Sequence, residues 1–385
     1  MTSGDSLEER RAGAAGPAPP GIGPTLVERD PQASPHATAR YAQLVALENA
    51  ARSGERHRTV IGQHIEAHNE LYNPVYGDTG GTTYVGYHYD RAAAITGRHP
   101  GFLEIDVGPG YHATGWDGSR RRYADDAVDL ALRVAKGGRV AVGMSFHQPH
   151  PTSHVKDYTA TLATNAPHQA GASWFASVVD CRNGTAEHRS LLQDLSYLAD
   201  HLSRFAEQDI PVLLRPYHEM NQPTFWWGGQ SPAAFRALWR ITYDYLVGTR
   251  DLHNLIFVWA PVCWTPDGPD APWDYYPSAP PPDVVAVDYY ADPDHTSGLW
   301  ESDVGRIGDY YTALADYGRP RALAESYYTP LAESGTNALR RSPWVWWTVW
   351  GDGLTSHNSP GDIRAAYREC GPTFGTAAKR VYAPD

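Results

Sequence analysis

Eight short runs of apolar, β-branched or aromatic residues recur along this chain, at 59–64, 101–107, 139–147, 211–219, 254–261, 283–290, 320–327 and 344–350. Runs of this length and character suit strands buried on both faces. Between them, 125–136, 187–208 and 232–247 carry apolar residues at three- and four-residue spacing, as amphipathic helices do. Strands that alternate with helices pair in parallel, and eight such units close a barrel. The predicted fold is α/β, a single (β/α)8 TIM barrel, with a long insertion after strand 3 at about 148–186 that builds part of a cleft. No repeat or linker interrupts the chain after residue 40, so 39–385 is assigned to one barrel domain. Residues 1–38 are rich in Ala, Gly, Pro, Ser and charge without hydrophobic periodicity, and are expected to form a flexible tail. There, Arg10-Arg11 precedes Ala-Gly-Ala-Ala-Gly-Pro, which lacks the apolar core of a secretory signal. The expectation is a cytoplasmic chain, an atypically exported one, or an unusual or misassigned start.

Barrels of this class present their chemistry at the C-terminal ends of the strands. In order, the runs end with His64, Asp106, His147, His218 and Glu219, Trp259, Asp288 and Tyr290, Glu325, and Trp350. Glu219 stands in Pro211-Val-Leu-Leu-Arg-Pro-Tyr-His-Glu-Met-Asn221, and Phe225-Trp-Trp-Gly-Gly229 follows at once. Glu325 stands in Pro320-Arg-Ala-Leu-Ala-Glu-Ser-Tyr-Tyr328. Two carboxyls across one mouth, about 5–5.5 Å apart, equip a site to cleave a glycosidic bond with retention, one protonating the leaving oxygen and the other attacking the sugar. Burial against Phe225, Trp226 and Trp227 would raise the pKa of Glu219 and suit it to the acid. A neighbouring hydroxyl such as that of Tyr290 would help Glu325 to stay ionised. The competing structural reading pairs either Glu with Arg215 or Arg321. It explains one isolated Glu as well as catalysis does, and two Glu flanked by aromatics less well.

The chain has 13 Trp and 24 Tyr. Part of that number fills a core, but Trp226-Trp227, Tyr289-Tyr290, Tyr327-Tyr328 and Trp346-Trp347 fall at strand ends or in the loops after them. Flat apolar faces with polar edges suit pyranose rings. Candidate sugar contacts are Trp226, Trp174 in the insertion, and Trp350 at the barrel floor. The other Trp of 344–350 are expected in the core, because alternate strand positions face opposite ways. His147, in Ser145-Phe-His-Gln-Pro-His-Pro151, reads either as a donor to sugar hydroxyls or as a histidine satisfied within the protein. A formal net charge of -12 argues against nucleic acid, and the lack of an 18-residue apolar run against a membrane span. Cys181, Cys263 and Cys370 make no disulfide framework. His64 and His68, and the group His147, His150 and His154, raise a metal centre, but the first run has no His-x-His and no matched Asp completes a set. No metal and no cofactor is expected; the expected partner is a polysaccharide or oligosaccharide.

Arg215-Pro-Tyr-His-Glu-Met-Asn221 followed by Phe225-Trp-Trp-Gly228 resembles the signature of glycoside hydrolase family 26, whose best-known members are β-mannanases. Weaker similarity extends to the His147 segment, to 284–290 and to the strand ending at Glu325, so it covers most of the chain after residue 55. The resemblance implies a (β/α)8 barrel with its acid/base on strand 4 and its nucleophile on strand 7. It implies metal-free, retaining hydrolysis of a β-linked polysaccharide, with Glu219 as acid/base and Glu325 as nucleophile. By the same match His218 and Tyr290 support those carboxyls, and His147 binds sugar. The favoured substrate is β-1,4-mannan or its oligosaccharides. β-1,3-1,4-Glucan and xylan are the alternatives within the family, and a non-catalytic carbohydrate-binding barrel is the alternative outside catalysis. Endo and exo action both fit. Two departures stand out. Gln222-Pro223-Thr224 replaces the Gly after Met-Asn and the Trp before Phe-Trp-Trp that members commonly have, and Ser-Tyr-Tyr follows Glu325 where a small residue and Gly are frequent.

Overall fold

The computed structural model describes residues 26–54, 59–65, 84–108, 123–154, 158–263, 272–290 and 298–370. Its strands are β1 Val60–Ile65, β2 Phe102–Asp106, β3 Ala141–Phe146, β4 Val212–Pro216, β5 Leu255–Trp259, β6 Val284–Asp288, β7 Arg321–Glu325 and β8 Trp346–Val349, each on one of the eight predicted runs. They pair in parallel in sequence order and β8 returns to β1, closing the barrel. The three predicted helices are present as Ala186–Ala206, Tyr123–Ala135 and Pro232–Tyr243, the last continuing into a π-helical turn Asp244–Thr249. Their starts follow from capping chemistry. Thr185 accepts from the His188 amide and Ser231 from the Ala234 amide, with Pro232 in the first turn, where no amide is missed. Among the described residues no α-helix stands between β5 and β6 or between β7 and β8, where 3-10 turns, Pro272–Tyr275 and Ala338–Arg340, are found instead. The predicted insertion after β3 is irregular: 3-10 turns Tyr158–Thr161, Ala163–Asn165 and Pro167–Gln169, then a short helix Ala172–Val178.

Strand alternation divides the apolar residues into two cores. Phe102, Ala141, Leu213, Ile256, Val258, Val284, Ala286, Ala322 and Trp346 fill the barrel interior. Leu103, Ile105, Val142, Met144, Val212, Leu214, Phe257, Trp259 and Trp347 face the helices. Interior packing is large against small: Phe102 stacks on Trp346 at 5.1 Å, and glycines on the neighbouring strands leave it room. A Cβ at Gly62 would come within 2.9 Å of Phe102, and one at Gly143 within 2.5 Å.

The expected tail over 1–38 extends too far toward the barrel. Residues 1–25 lie outside the described residues, but Leu26–Arg29 and Pro35–Arg52 are helices. Leu26, Ala37, Tyr41, Leu44 and Val45 cap the interior core at the N-terminal ends of the strands. Composition misses this because small residues dominate the segment, and Ala37 is fully buried for that reason. Among the described residues no helix is long and apolar enough to cross a membrane.

Candidate active site

At the C-terminal ends of the strands, period-two alternation points Glu104 on β2, Arg215 on β4 and Asp288 on β6 to the barrel axis, in phase with Phe102, Leu213 and Ala286. Arg215 donates from Nε to Glu104 at 2.8 Å, from Nη1 to Asp288 at 2.8 Å, and from Nη2 to Glu325. All four side chains are buried. Burial raises the Glu104 carboxyl to about 7 against the pull of Arg215, and raises Asp288 well above the usual range for the same cause. The ion pair weighed as the structural alternative therefore exists, on Glu325. Arg321 lies at the other end of the barrel, bonded to Glu48.

Glu325 reaches the axis through a register shift. Val287 pairs with Leu323, but Asp288 pairs with Glu325, so β7 holds one extra residue. Ala322 and Ala324 both face the interior; a straight β7 would send Glu325 outward with Leu323. Once inside, its two oxygens are held separately, Oε1 by Arg215 and Oε2 by the Tyr290 hydroxyl.

Glu219 is delivered by a different device. After Pro216 the backbone takes left-handed φ at Tyr217 (52°) and Glu219 (55°), a conformation costly for residues with side chains. The surroundings enforce it. The Glu219 amide donates to Ala260 at 2.8 Å, the Tyr217 hydroxyl to Gln148 at 2.9 Å, and Trp227 Nε1 to the His218 carbonyl at 2.8 Å. The Glu219 carboxyl is raised to about 7, first by burial and next by the charge of Glu325, while Arg215, a hydrogen bond from Gln222 and His147 pull it down. The predicted cause, burial, is the leading one.

His147 donates from Nδ1 to Asp106 at 2.7 Å, and its own amide donates to the same carboxyl at 3.2 Å. Burial works against a charged ring, but Asp106 outweighs it and the pKa is raised, with Nε2 left as the nitrogen for a ligand. His218 meets His147 edge-on at 4.8 Å; burial and then Arg215 hold it neutral. Trp350, just after β8, lies flat on His64 with ring centroids 3.8 Å apart. His218, Asp288 and Glu325 bring donor atoms within 4.8 Å of one another. Arg215 bonds both carboxyls of that group, so the cation it surrounds is a guanidinium.

Two of the expected sugar contacts are corrected. Trp226 is 0% exposed, donates from Nε1 to the Gln148 carbonyl at 2.8 Å and packs edge-on against Trp174 at 5.9 Å, which is itself buried. Both tie the insertion to the loop after β4, where Leu162 and Phe225 pair and the Trp226 amide donates to Thr161 at 2.9 Å. Trp259 faces outward onto Tyr276 and Tyr317. Of the metal-type histidines, His150 turns toward Trp174, and His68 lies outside the described residues. What sequence reasoning missed is Glu104, the true partners of Arg215, and Tyr158. That tyrosine is 44% exposed and edge-on to His147 at 5.4 Å, and its hydroxyl is raised to about 12 by burial and by Glu219, Asp106 and Glu325. Period two along β2 and β4 would have found the first two; nothing in the irregular insertion signals the third.

Residues 47–323 match the family model described as Glycosyl hydrolase family 26. A mannan endo-1,4-beta-mannosidase of Thermothelomyces thermophilus is 30% identical over 291 residues, 72% of this chain and 53% of that protein. Mannan endo-1,4-beta-mannosidase A and B of Caldalkalibacillus mannanilyticus is 29% identical over 287 residues, 70% of this chain and 50% of that protein. The chain thus spans about half the length of these curated relatives. Among solved structures, GH26A from a Muricauda species superposes with a TM-score of 0.68 at 22% identity, over 88% of this chain and 96% of that one. The beta-mannanase of a symbiotic protist of the termite Reticulitermes speratus, complexed with gluco-manno-oligosaccharide, gives 0.64 at 24% identity, over 88% and 93%. At such identities the superpositions speak for the fold.

Proposed function

Since this chain belongs to glycosyl hydrolase family 26, we propose that it is a retaining glycoside hydrolase acting on β-1,4-mannan or manno-oligosaccharides, with Glu219 as acid/base and Glu325 as nucleophile. The observation that carries the roles is the unlike treatment of the two carboxyls. Glu325 is fixed by donors on both oxygens, as a nucleophile must be aimed. Glu219 is raised to about 7 by burial and by Glu325, as a proton donor must be near neutral pH. The choice of mannan is supported by what the related proteins are called.

In the first step a Glu325 oxygen attacks the anomeric carbon. The bond to the leaving sugar breaks, and its electron pair stays on the glycosidic oxygen, which takes the proton from Glu219. Water then attacks the anomeric carbon of the glycosyl ester and gives a proton to Glu219. Its oxygen displaces Glu325, and both carboxyls return to their starting states. Tyr290 and Arg215 hold the nucleophile, His147 on its Asp106 anchor offers Nε2 to a sugar hydroxyl, and Trp350 offers a face to the ring bound at the floor.

The test is hydrolysis of β-mannan, glucomannan, β-1,3-1,4-glucan, xylans and their oligosaccharides, with products separated by size. Glu325→Ala should lose turnover on every substrate. Glu219→Ala should lose oligosaccharide cleavage yet still release an activated aryl leaving group, which needs little protonation. Retained activity in Glu325→Ala, or equal loss on both substrate types in Glu219→Ala, would remove the role assignment. Activity on glucan or xylan alone would keep the mechanism and move the substrate.

A further inference from the structure

We propose that Gln222 is a positioning residue for Glu219, reserving one carboxyl oxygen so that the travelling proton is carried on the other. The proposal rests on Glu219 being the acid/base. Gln222 Nε2 donates to Glu219 Oε2, and the Gln222 amide donates to the Glu219 carbonyl at 3.2 Å. A donor on Oε2 leaves that oxygen as an acceptor and directs the proton to Oε1.

The frame around this contact is rigid. Asn221 exchanges hydrogen bonds with Val262 at 3.0 and 2.9 Å, and the Gly229 amide donates to Met220 at 3.0 Å. The turn closes so tightly that a Cβ on Gly228 would lie 1.9 Å from the Gln222 carbonyl oxygen. Gln222 is itself buried, so its amide reaches Glu219 with little freedom to turn elsewhere. In the first step the arrangement presents a proton on Oε1 to the glycosidic oxygen. In the second, the same oxygen receives the proton from water while Oε2 stays bonded.

Other groups act on Glu219 from every side: Arg215 on β4, Glu325 on β7, Asp288 on β6, Tyr290 after it, His147 after β3 and Tyr158 in the insertion. None of these is altered by changing Gln222, so the sign of its own effect is separable. A donor to the carboxylate favours the ionised form, and its loss should raise the Glu219 pKa.

The experiment is the pH profile of kcat/KM on manno-oligosaccharides for the full chain. Gln222→Met, of equal length without a donor, should move the alkaline limb upward by about one pH unit and lower activity about tenfold. Gln222→Lys, with a charged donor, should move the limb the other way. An activated aryl mannoside should lose less than the oligosaccharide in Gln222→Met. A merely structural role would lower activity and leave the limb in place, and an unmoved limb in whichever of the two variants folds overturns the proposal. Glu219→Ala is run beside them. If it cleaves oligosaccharides normally, the acid/base assignment falls first. If it behaves as an acid/base variant while the Gln222 limb stays still, only the role of Gln222 falls.

Discussion

Arg215 carries one positive charge and bonds three buried carboxyls, Glu104, Asp288 and Glu325. Its planar fork is what lets one group fix all three, and a lysine has neither the shape nor the reach for three partners at once. If Glu325 is the nucleophile, as proposed, Arg215→Lys is therefore expected to fold and to lose about a hundredfold in kcat, because a misaimed nucleophile costs that much; single-turnover release of an activated leaving group measures it directly. Charge at the mouth also sets the working pH. With Glu219 raised to about 7 by burial and Glu325, the proton donation proposed for it would fail as pH rises through that value. The alkaline limb of kcat/KM on oligosaccharides should then fall near 7 and disappear in Glu219→Ala assayed on activated substrates. The two Glu were legible in the sequence because each ends an apolar run beside aromatics. Arg215 was legible only as a rival explanation, since a sequence presents an ion pair and a catalytic site as alternatives. In the folded molecule the pair is what holds the site.

At the level of strands and loops, all eight strands follow from run length and residue type, but two local irregularities do not. The extra residue in β7 that turns Glu325 inward belongs to the pairing of β6 with β7, and periodicity within one strand cannot reveal it. The left-handed Tyr217 and Glu219 are held by Ala260 and Gln148, distant in sequence, and by Trp227 from the same loop. Trp226 failed as a sugar contact for a related reason. A loop aromatic that lines a cleft and one that packs a loop look alike until the segment facing it is known, here Thr161–Leu162. Interior packing gives a sharper expectation. Gly143 on β3 sits where a Cβ would approach Phe102 within 2.5 Å, and Phe102 stacks on Trp346 at 5.1 Å, which limits its retreat. Gly143→Ala should cost about 1–3 kcal/mol by overpacking, read from denaturant unfolding. Paired with Phe102→Leu it should recover part of that loss, which a backbone effect of the lost glycine would not.

Across the whole molecule the mouth that holds the candidate site and the N-terminal segment occupy opposite ends of one barrel. The helix Pro35–Arg52 closes the bottom, where Glu48 takes the backbone amide and guanidinium of Arg321, the first residue of β7. Arg29 reaches Asp283 just before β6 and the carbonyl of Leu255 at the start of β5, and lies over the rings of Phe257 and Tyr243 at 4.9 and 5.0 Å. Leu26–Arg29 and most of Pro35–Arg52 lie before the span 47–323 that the family model matches. The Arg29 and Asp283 side chains are 2% and 1% exposed, and Asp283 also accepts from the Phe257 amide. Removing the guanidinium would strand a buried carboxylate. Arg29→Ala should thus destabilise the fold by about 3–5 kcal/mol, and Arg29→Ala with Asp283→Asn by less, because the stranded charge is gone. Neither change touches the mouth, so kcat/KM per folded molecule should equal that of the parent at a temperature where all three are folded. Unfolding curves and active-site-titrated kinetics on the same preparations decide it. A fall in kcat/KM without loss of stability would mean that the bottom of the barrel governs the carboxyls at its top, and that closure and catalysis are not separate tasks in this chain.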